Sequence, residues 1–181
     1  MVKILKYKLF LRLIKFFGFY KHKPQIGMRS LISSDSTIGD YTYIGNNCNI
    51  TKSKIGRYCS IANNVTIGPG EHDLSKVSTS SLFYIKPYEL LTSKDCEIGN
   101  DVWIGVNCVI RRGVSVGNGA IIGANSFVND DVPDFAIVAG SPAKIIRMRF
   151  NEEKIKLIYE SQWWNLKYVD AKSTLVEIEK S

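Results

Sequence analysis

Histidine is nearly missing from this chain: His22 and His72 are the only two among 181 residues. That scarcity excludes a zinc centre built on three imidazoles, and no metal is expected. It also leaves few groups able to exchange a proton near neutral pH. The four cysteines, Cys48, Cys59, Cys96 and Cys108, lack the C-x-x-C spacing of a metal or redox site. They read as small buried side chains kept reduced. No apolar run approaches the ~20 residues of a membrane span, because lysines cut "MVKILKYKLFLRLIKFFGFY" throughout. This segment also lacks the continuous apolar stretch and small-residue cleavage site of a secretory signal. Acidic residues are absent before Pro24, where Lys3, Lys6, Lys8, Arg12, Lys15, Lys21 and Lys23 stand. Beyond Pro24 the charges cancel, so the net charge of +7 belongs to this arm. A balanced body argues against nucleic acid as a partner. The arm, residues 1–25, is expected to be an amphipathic helix packed on the body, with membrane-surface contact through residues 1–23 as the alternative.

What is present is a period of six. Aliphatic residues fall at Ile26, Ile32, Ile38, Ile44 and Ile50; after a slip of one residue they continue at Ile55, Ile61 and Ile67. They resume at Ile98, Ile104, Ile110, Val116, Ile122 and Val128. Glycine often follows, as at Gly27, Gly45, Gly105 and Gly123, and a small residue often stands four places on, among them Cys48, Cys59 and Cys108. Neither a helical period of 3.6 nor a strand period of 2 produces this spacing. A three-sided coil does: each short strand forms one side, its aliphatic residue points inward, and glycine or asparagine turns the corner. About 14 hexads at three per coil make roughly five coils. The "ITKSK" rung from Ile50 to Lys54 is one residue short and implies a tightened corner.

The pattern resembles the left-handed parallel β-helix of the hexapeptide-repeat acyltransferases, a mainly β fold. Residues 26–147 are assigned to it, with a loop over 73–97, and coiling is expected to stop at Pro133 and Pro142. Residues 148–181 read as a helical cap over the open end of the solenoid, with Asn151 as N-cap ahead of Glu152 and Glu153.

The break in the repeat carries the chemistry. "GEHDLSKVSTSSLFY" resembles the xenobiotic acetyltransferase branch of that family, in which a histidine precedes Val-Ser-Thr and an aromatic: here His72, Val77, Ser78, Thr79 and Phe83. "VWIG", "IIGANSFV", "AGSPAK" and "WWN" fit the same branch. The resemblance implies an acetyl-CoA-dependent enzyme with His72 as general base, taking the proton of an acceptor hydroxyl as it attacks the thioester. Glu71 and Asp73 point away from His72 in an extended chain and are poor partners for it. The resemblance further implies acetyl-CoA contacts at Gly105, Val106, Gly123 and Ala124 and phosphate contacts at Lys144 and Arg147. Trp103, large where the repeat carries small residues, either walls the thiol channel of acetyl-CoA or packs under the loop, and Phe83 and Tyr84 are read as acceptor contacts. It implies a homotrimer with active sites between subunits, which would give the apolar loop somewhere to pack.

The expected function is acetylation of a sugar hydroxyl or amine in bacterial surface polysaccharide synthesis. It would occur in the cytoplasm, at the inner face of the membrane. The alternative is an antibiotic acetyltransferase of the chloramphenicol or streptogramin type. A γ-type carbonic anhydrase fails for want of histidines, and an inert scaffold leaves "AGSPAK", the loop and His72 without explanation.

Overall fold

The computed structural model describes residues 22–180; residues 1–21 of the basic arm, with the helix and membrane-surface contact expected of them, lie outside the described residues, and the arm's last residue, Gln25, already belongs to the first strand rather than to a helix. Short strands follow one another around three faces. The first face stacks β1 (Gln25–Ile26), β4 (Tyr43–Ile44), β7 (Ser60–Ile61), β10 (Trp103–Ile104), β13 (Ile121–Ile122) and β15 (Ala136–Gly140). The second stacks β2 (Leu31–Ile32), β5 (Asn49–Ile50), β8 (Thr66–Ile67), β11 (Val109–Ile110) and β14 (Phe127–Val128). The third stacks β3 (Thr37–Ile38), β6 (Ser53–Ile55), β9 (Cys96–Ile98) and β12 (Ser115–Val116), continued by a bridge from Val116 to Val132. All these pairings are parallel, and isoleucine lies over isoleucine: Ile44 on Ile61, Ile61 on Ile104, Ile67 on Ile110, Ile55 on Ile98. The interruption therefore sits in one corner and leaves the register intact on every face.

The interior is a column of those aliphatics, nearly all fully buried from Ile44 onward. All four cysteines occupy one repeat position, two residues before an inward isoleucine. The sequence pattern revealed three of them; Cys96 was hidden because the loop replaces the hexad before it. The thiols of Cys48, Cys59, Cys96 and Cys108 donate to carbonyls one coil on, at 3.0–3.2 Å, as the Ser30 and Thr42 hydroxyls do at 2.8 Å. Burial pushes the Cys59 thiol up to about 12 and raises those of Cys48 and Cys108, so these three sulfurs act as donors rather than nucleophiles.

Two expectations are corrected. Coiling does not stop at Pro133, since Ala136–Gly140 adds a sixth strand to the first face. On earlier coils the residue at Pro133's position donates its N–H to the following coil, as Gly99 does to Val116 and Gly117 to Val132. No further coil follows, so proline's missing N–H costs nothing there. Strand β16 (Ala143–Met148) then folds back antiparallel on β15, and Ala143 packs against the end of the core.

The C-terminal segment forms two helices, α1 (Glu152–Ser161) and α2 (Tyr168–Lys180), which lie along the corner between the third and first faces rather than across the end. Asn151 caps α1 by accepting the Lys154 N–H at 2.9 Å. Aromatic residues at the left-handed corner positions, Tyr41, Tyr58 and Phe135, explain the docking. Bulky residues at positive φ need packing to hold them there. Tyr41 stacks on Tyr58 at 4.6 Å, Tyr58 meets Trp163, and Phe135 meets Phe150 and Tyr159 edge-on. The Tyr58 hydroxyl and the Arg57 guanidinium both donate to the Leu166 carbonyl.

Candidate active site

The excursion leaves the corner between the second and third faces after Gly68 and returns at Cys96. Its base is tied by two arginines one coil further on, which the sequence reading did not single out. Arg112 is buried, and its guanidinium donates to the carbonyls of Gly68, Pro69, Lys52 and Lys94, so that it holds the outgoing and incoming strands together. A buried cation is tolerable only when its donors are all met in this way. Arg111 forms a two-point ion pair with Glu71, at 2.5 and 2.9 Å. Glu71 is thus turned away from His72 onto the solenoid, as its place in the chain implied. The paired arginines at a corner that elsewhere carries Ser33-Ser34, Thr51-Lys52, Gly68-Pro69 and Asn129-Asp130 were the available signal.

His72 stands next to this anchor. Its Nδ1 lies 2.5 Å from the Thr79 carbonyl oxygen. A carbonyl cannot donate, so Nδ1 carries a hydrogen, and in the neutral ring it is Nε2 that keeps the lone pair. The orienting partner is therefore a backbone group seven residues on, which no side-chain motif could disclose. Beyond it, Phe83 and Tyr84 line a cavity of about 540 Å³ with Lys76, Ile85, Lys86 and Leu90. Phe83 is exposed, and the Lys86 ammonium is paired with Glu89 at 3.0 Å. The Asp73 carboxylate is held below its ordinary range by the Ser75 hydroxyl and N–H. The loop carries almost fully exposed aliphatics, Val77 and Ile85 among them.

The other seven predicted site residues gather elsewhere, on the first face and its corner with the second. Trp103, Ile121, Ile137 and Arg147 form one cross-strand row. Trp103 is half-exposed beside a cleft of about 280 Å³ shared with Ser60, Asp101 and Arg149. Burial raises the Asp101 carboxyl, an effect partly offset by Arg149 at 3.2 Å. Lys144 pairs with Ala139, which abuts Gly123, and its ammonium lies 4.0 Å from exposed Asp130. Such an exposed pair holds Lys144 only weakly. Gly105 and Gly123 turn the corner in consecutive coils, with Val106 and Ala124 beside them; a Cβ on Gly105 would meet the Ala124 nitrogen at 2.6 Å. His72 belongs to a different edge of the prism, so one chain does not bring it to this corner.

Backbone donors distinguish the Gly105–Ala124 corner. In the first coils an asparagine side chain takes the corner N–H of the preceding coil: Asn46 that of Met28 at 2.7 Å, Asn63 that of Asn46 at 2.8 Å. Where Val106 and Ala124 replace asparagine the device stops. The N–H groups of Val106 and Ala124 have no partner among the described residues. Exposed donors spaced one coil apart suit an extended ligand bearing amide carbonyls.

Comparison with known proteins places this architecture. The family model for bacterial transferase hexapeptide (six repeats) matches residues 35–69 and 95–130, the two blocks flanking the loop. A "Probable macrolide acetyltransferase" of Lysinibacillus sphaericus is 40% identical over 136 residues, 69% of this chain and 73% of that protein. The chain belongs to the hexapeptide-repeat acyltransferases. Within that family, a chloramphenicol acetyltransferase of Morganella morganii is 39% identical over 127 residues, 64% of this chain. This acyltransferase-family chain spans about 60% of the length of that relative. The solved galactoside acetyltransferase in complex with coenzyme A aligns with a TM-score of 0.54 at 27% identity, over 73% of this chain and 68% of that one.

Proposed function

We propose that the protein transfers an acetyl group from acetyl-CoA to a hydroxyl, or an amine, of a sugar used in bacterial surface polysaccharides, with His72 as general base. The observation that carries this is the contact of His72 Nδ1 with the Thr79 carbonyl, which in the neutral imidazole puts the hydrogen on Nδ1 and leaves Nε2 as the acceptor. The acceptor proton passes to Nε2 while the acceptor oxygen attacks the thioester carbonyl carbon. The tetrahedral intermediate collapses with cleavage of the carbon–sulfur bond, and the imidazolium returns the proton to the departing thiolate. The products are an acetyl ester and free CoA, and no acyl-enzyme is needed.

Acetyl-CoA would run along the Gly105–Val106 and Gly123–Ala124 corner, with its amide carbonyls on the open N–H groups, Trp103 alongside, and Lys144 and Arg147 toward its phosphates. The galactoside acetyltransferase solved with coenzyme A supports the donor and a sugar acceptor. Because His72 and this corner lie on different edges, the reading requires a second copy, arranged as a ring of three. Support comes from the surfaces. The first and second faces present Tyr43, Trp103, Leu31 and Phe127, whereas the third presents Lys54 and Glu97 paired at 3.1 Å. Phe83 and Tyr84 would flank the acceptor. Work at the inner face of the cytoplasmic membrane would suit the basic residues 1–23; no described helix is long and apolar enough to cross a membrane.

A second reading, acetylation of an antibiotic, is favoured by the 39–40% identity to the chloramphenicol and macrolide relatives. Thiol release from acetyl-CoA over nucleotide sugars, galactosides, chloramphenicol and a macrolide separates them. Turnover of sugars alone supports the first reading and turnover of drugs alone the second. Absence of CoA binding at millimolar ligand contradicts both.

A further inference from the structure

Three hydrogen bonds close a ring around His72. The Tyr84 hydroxyl donates its only proton to the Thr79 carbonyl at 3.1 Å, the carbonyl that accepts from His72 Nδ1. The same hydroxyl accepts the N–H of Asp73, the residue after His72, at 3.2 Å. The Tyr84 ring stands 6.2 Å from the imidazole, tilted by 50°. The remaining polar contacts among residues 73–83 are local, joining Asp73 to Ser75, Ser78 to Ser80, and Ser80 to Leu82 and Phe83. Thr79 therefore faces His72 because Tyr84 holds both ends of the turn between them. On the other side, the Glu71–Arg111 pair fixes the preceding residue to the solenoid.

We propose that Tyr84 is a positioning residue for His72, rather than an acceptor contact through its hydroxyl. It rests on the reading of His72 as the base. Its hydroxyl holds the Thr79 carbonyl against Nδ1 and so keeps the imidazole in the tautomer whose Nε2 can accept a proton. Without it the carbonyl is free to turn away, and a solvated imidazole populates both tautomers.

The chain has only two histidines, so the test is spectroscopic. Long-range proton–nitrogen spectra of the full-length protein are recorded at about pH 8.5, where an ordinary imidazole is neutral, with His72→Gln assigning the signals. The wild type should show His72 as the Nδ1–H tautomer, and Tyr84→Phe should show averaged ring nitrogens at unchanged melting temperature. With acetyl-CoA and either methyl galactoside or chloramphenicol, whichever is turned over, Tyr84→Phe should lower kcat about tenfold at unchanged KM. A single Nδ1–H tautomer in Tyr84→Phe overturns the proposal, as does a raised acceptor KM at unchanged kcat. Undiminished turnover by His72→Ala would instead sink the general-base reading, while the tautomer comparison stands or falls separately. If neither acceptor is turned over, the spectra alone decide.

Discussion

Two corners of the same prism solve one problem in opposite ways. At the corner between the third and first faces, three successive backbone N–H groups at one repeat position are taken by a side chain from the next coil: Arg57 by Asn100, Asn100 by Asn118, Asn118 by Asp134. That corner is sealed, and the C-terminal helices pack along it. At the corner between the first and second faces the same ladder begins with Asn46 and Asn63 and then ends, leaving Val106 and Ala124 with free donors. The amide oxygen that lies against Gly27 from Asn46 and against Gly45 from Asn63 has no counterpart at Gly105, where only the backbone of the next coil approaches. A solenoid needs its rungs satisfied to be stable. These donors, open over consecutive coils, are the ones that the proposed acetyl-CoA site would use.

The largest expected effect breaks the chemistry and leaves both corners intact. His72→Ala should lower acetyl transfer by about 10²-fold or more, with CoA affinity and melting temperature unchanged. Next comes the third corner, where the loop is rooted. Arg112→Met removes the donors from four carbonyls and should cost about 3 kcal/mol in urea unfolding. Limited proteolysis should then cut the loop before the coils; equal protection in loop and coils would show that the loop does not depend on this clamp. The smallest effect sharpens the comparison itself. Ala124→Asn should let the new amide take the Val106 N–H, converting the open corner toward the sealed kind. CoA binding measured by calorimetry should weaken about tenfold, as for the loss of one good hydrogen bond, without any fall in stability. Unchanged CoA affinity would mean that the free donors are not used.

The parts of this arrangement legible in the sequence are those that repeat. The period of six located the faces, the inward isoleucines and the corner glycines, because stacking imposes the same demand on every coil. The place of His72 was legible as the point where that demand lapses. Features belonging to a single place were not. Arg112 acts through the path of the loop, Thr79 through a main-chain oxygen, and Tyr84 through a turn whose shape no periodicity describes. Pro133 misled for a related reason: its usual veto on a strand applies only where a neighbouring strand needs the N–H, and here the stack has run out. The docking of the C-terminal helices was misplaced because aromatic residues at left-handed positions look, in sequence, like ordinary corner residues.

The claim that His72 of one copy serves the CoA corner of another is tested most directly by mixing two damaged chains. One carries His72→Ala; the other combines Ala124→Asn, Lys144→Ala and Arg147→Ala. After co-refolding at equal amounts with limiting acetyl-CoA, random rings of three would hold an intact base and an intact corner at about a quarter of their interfaces. The account predicts recovery of about a quarter of wild-type activity. A mixture no more active than the sum of its parents would contradict it.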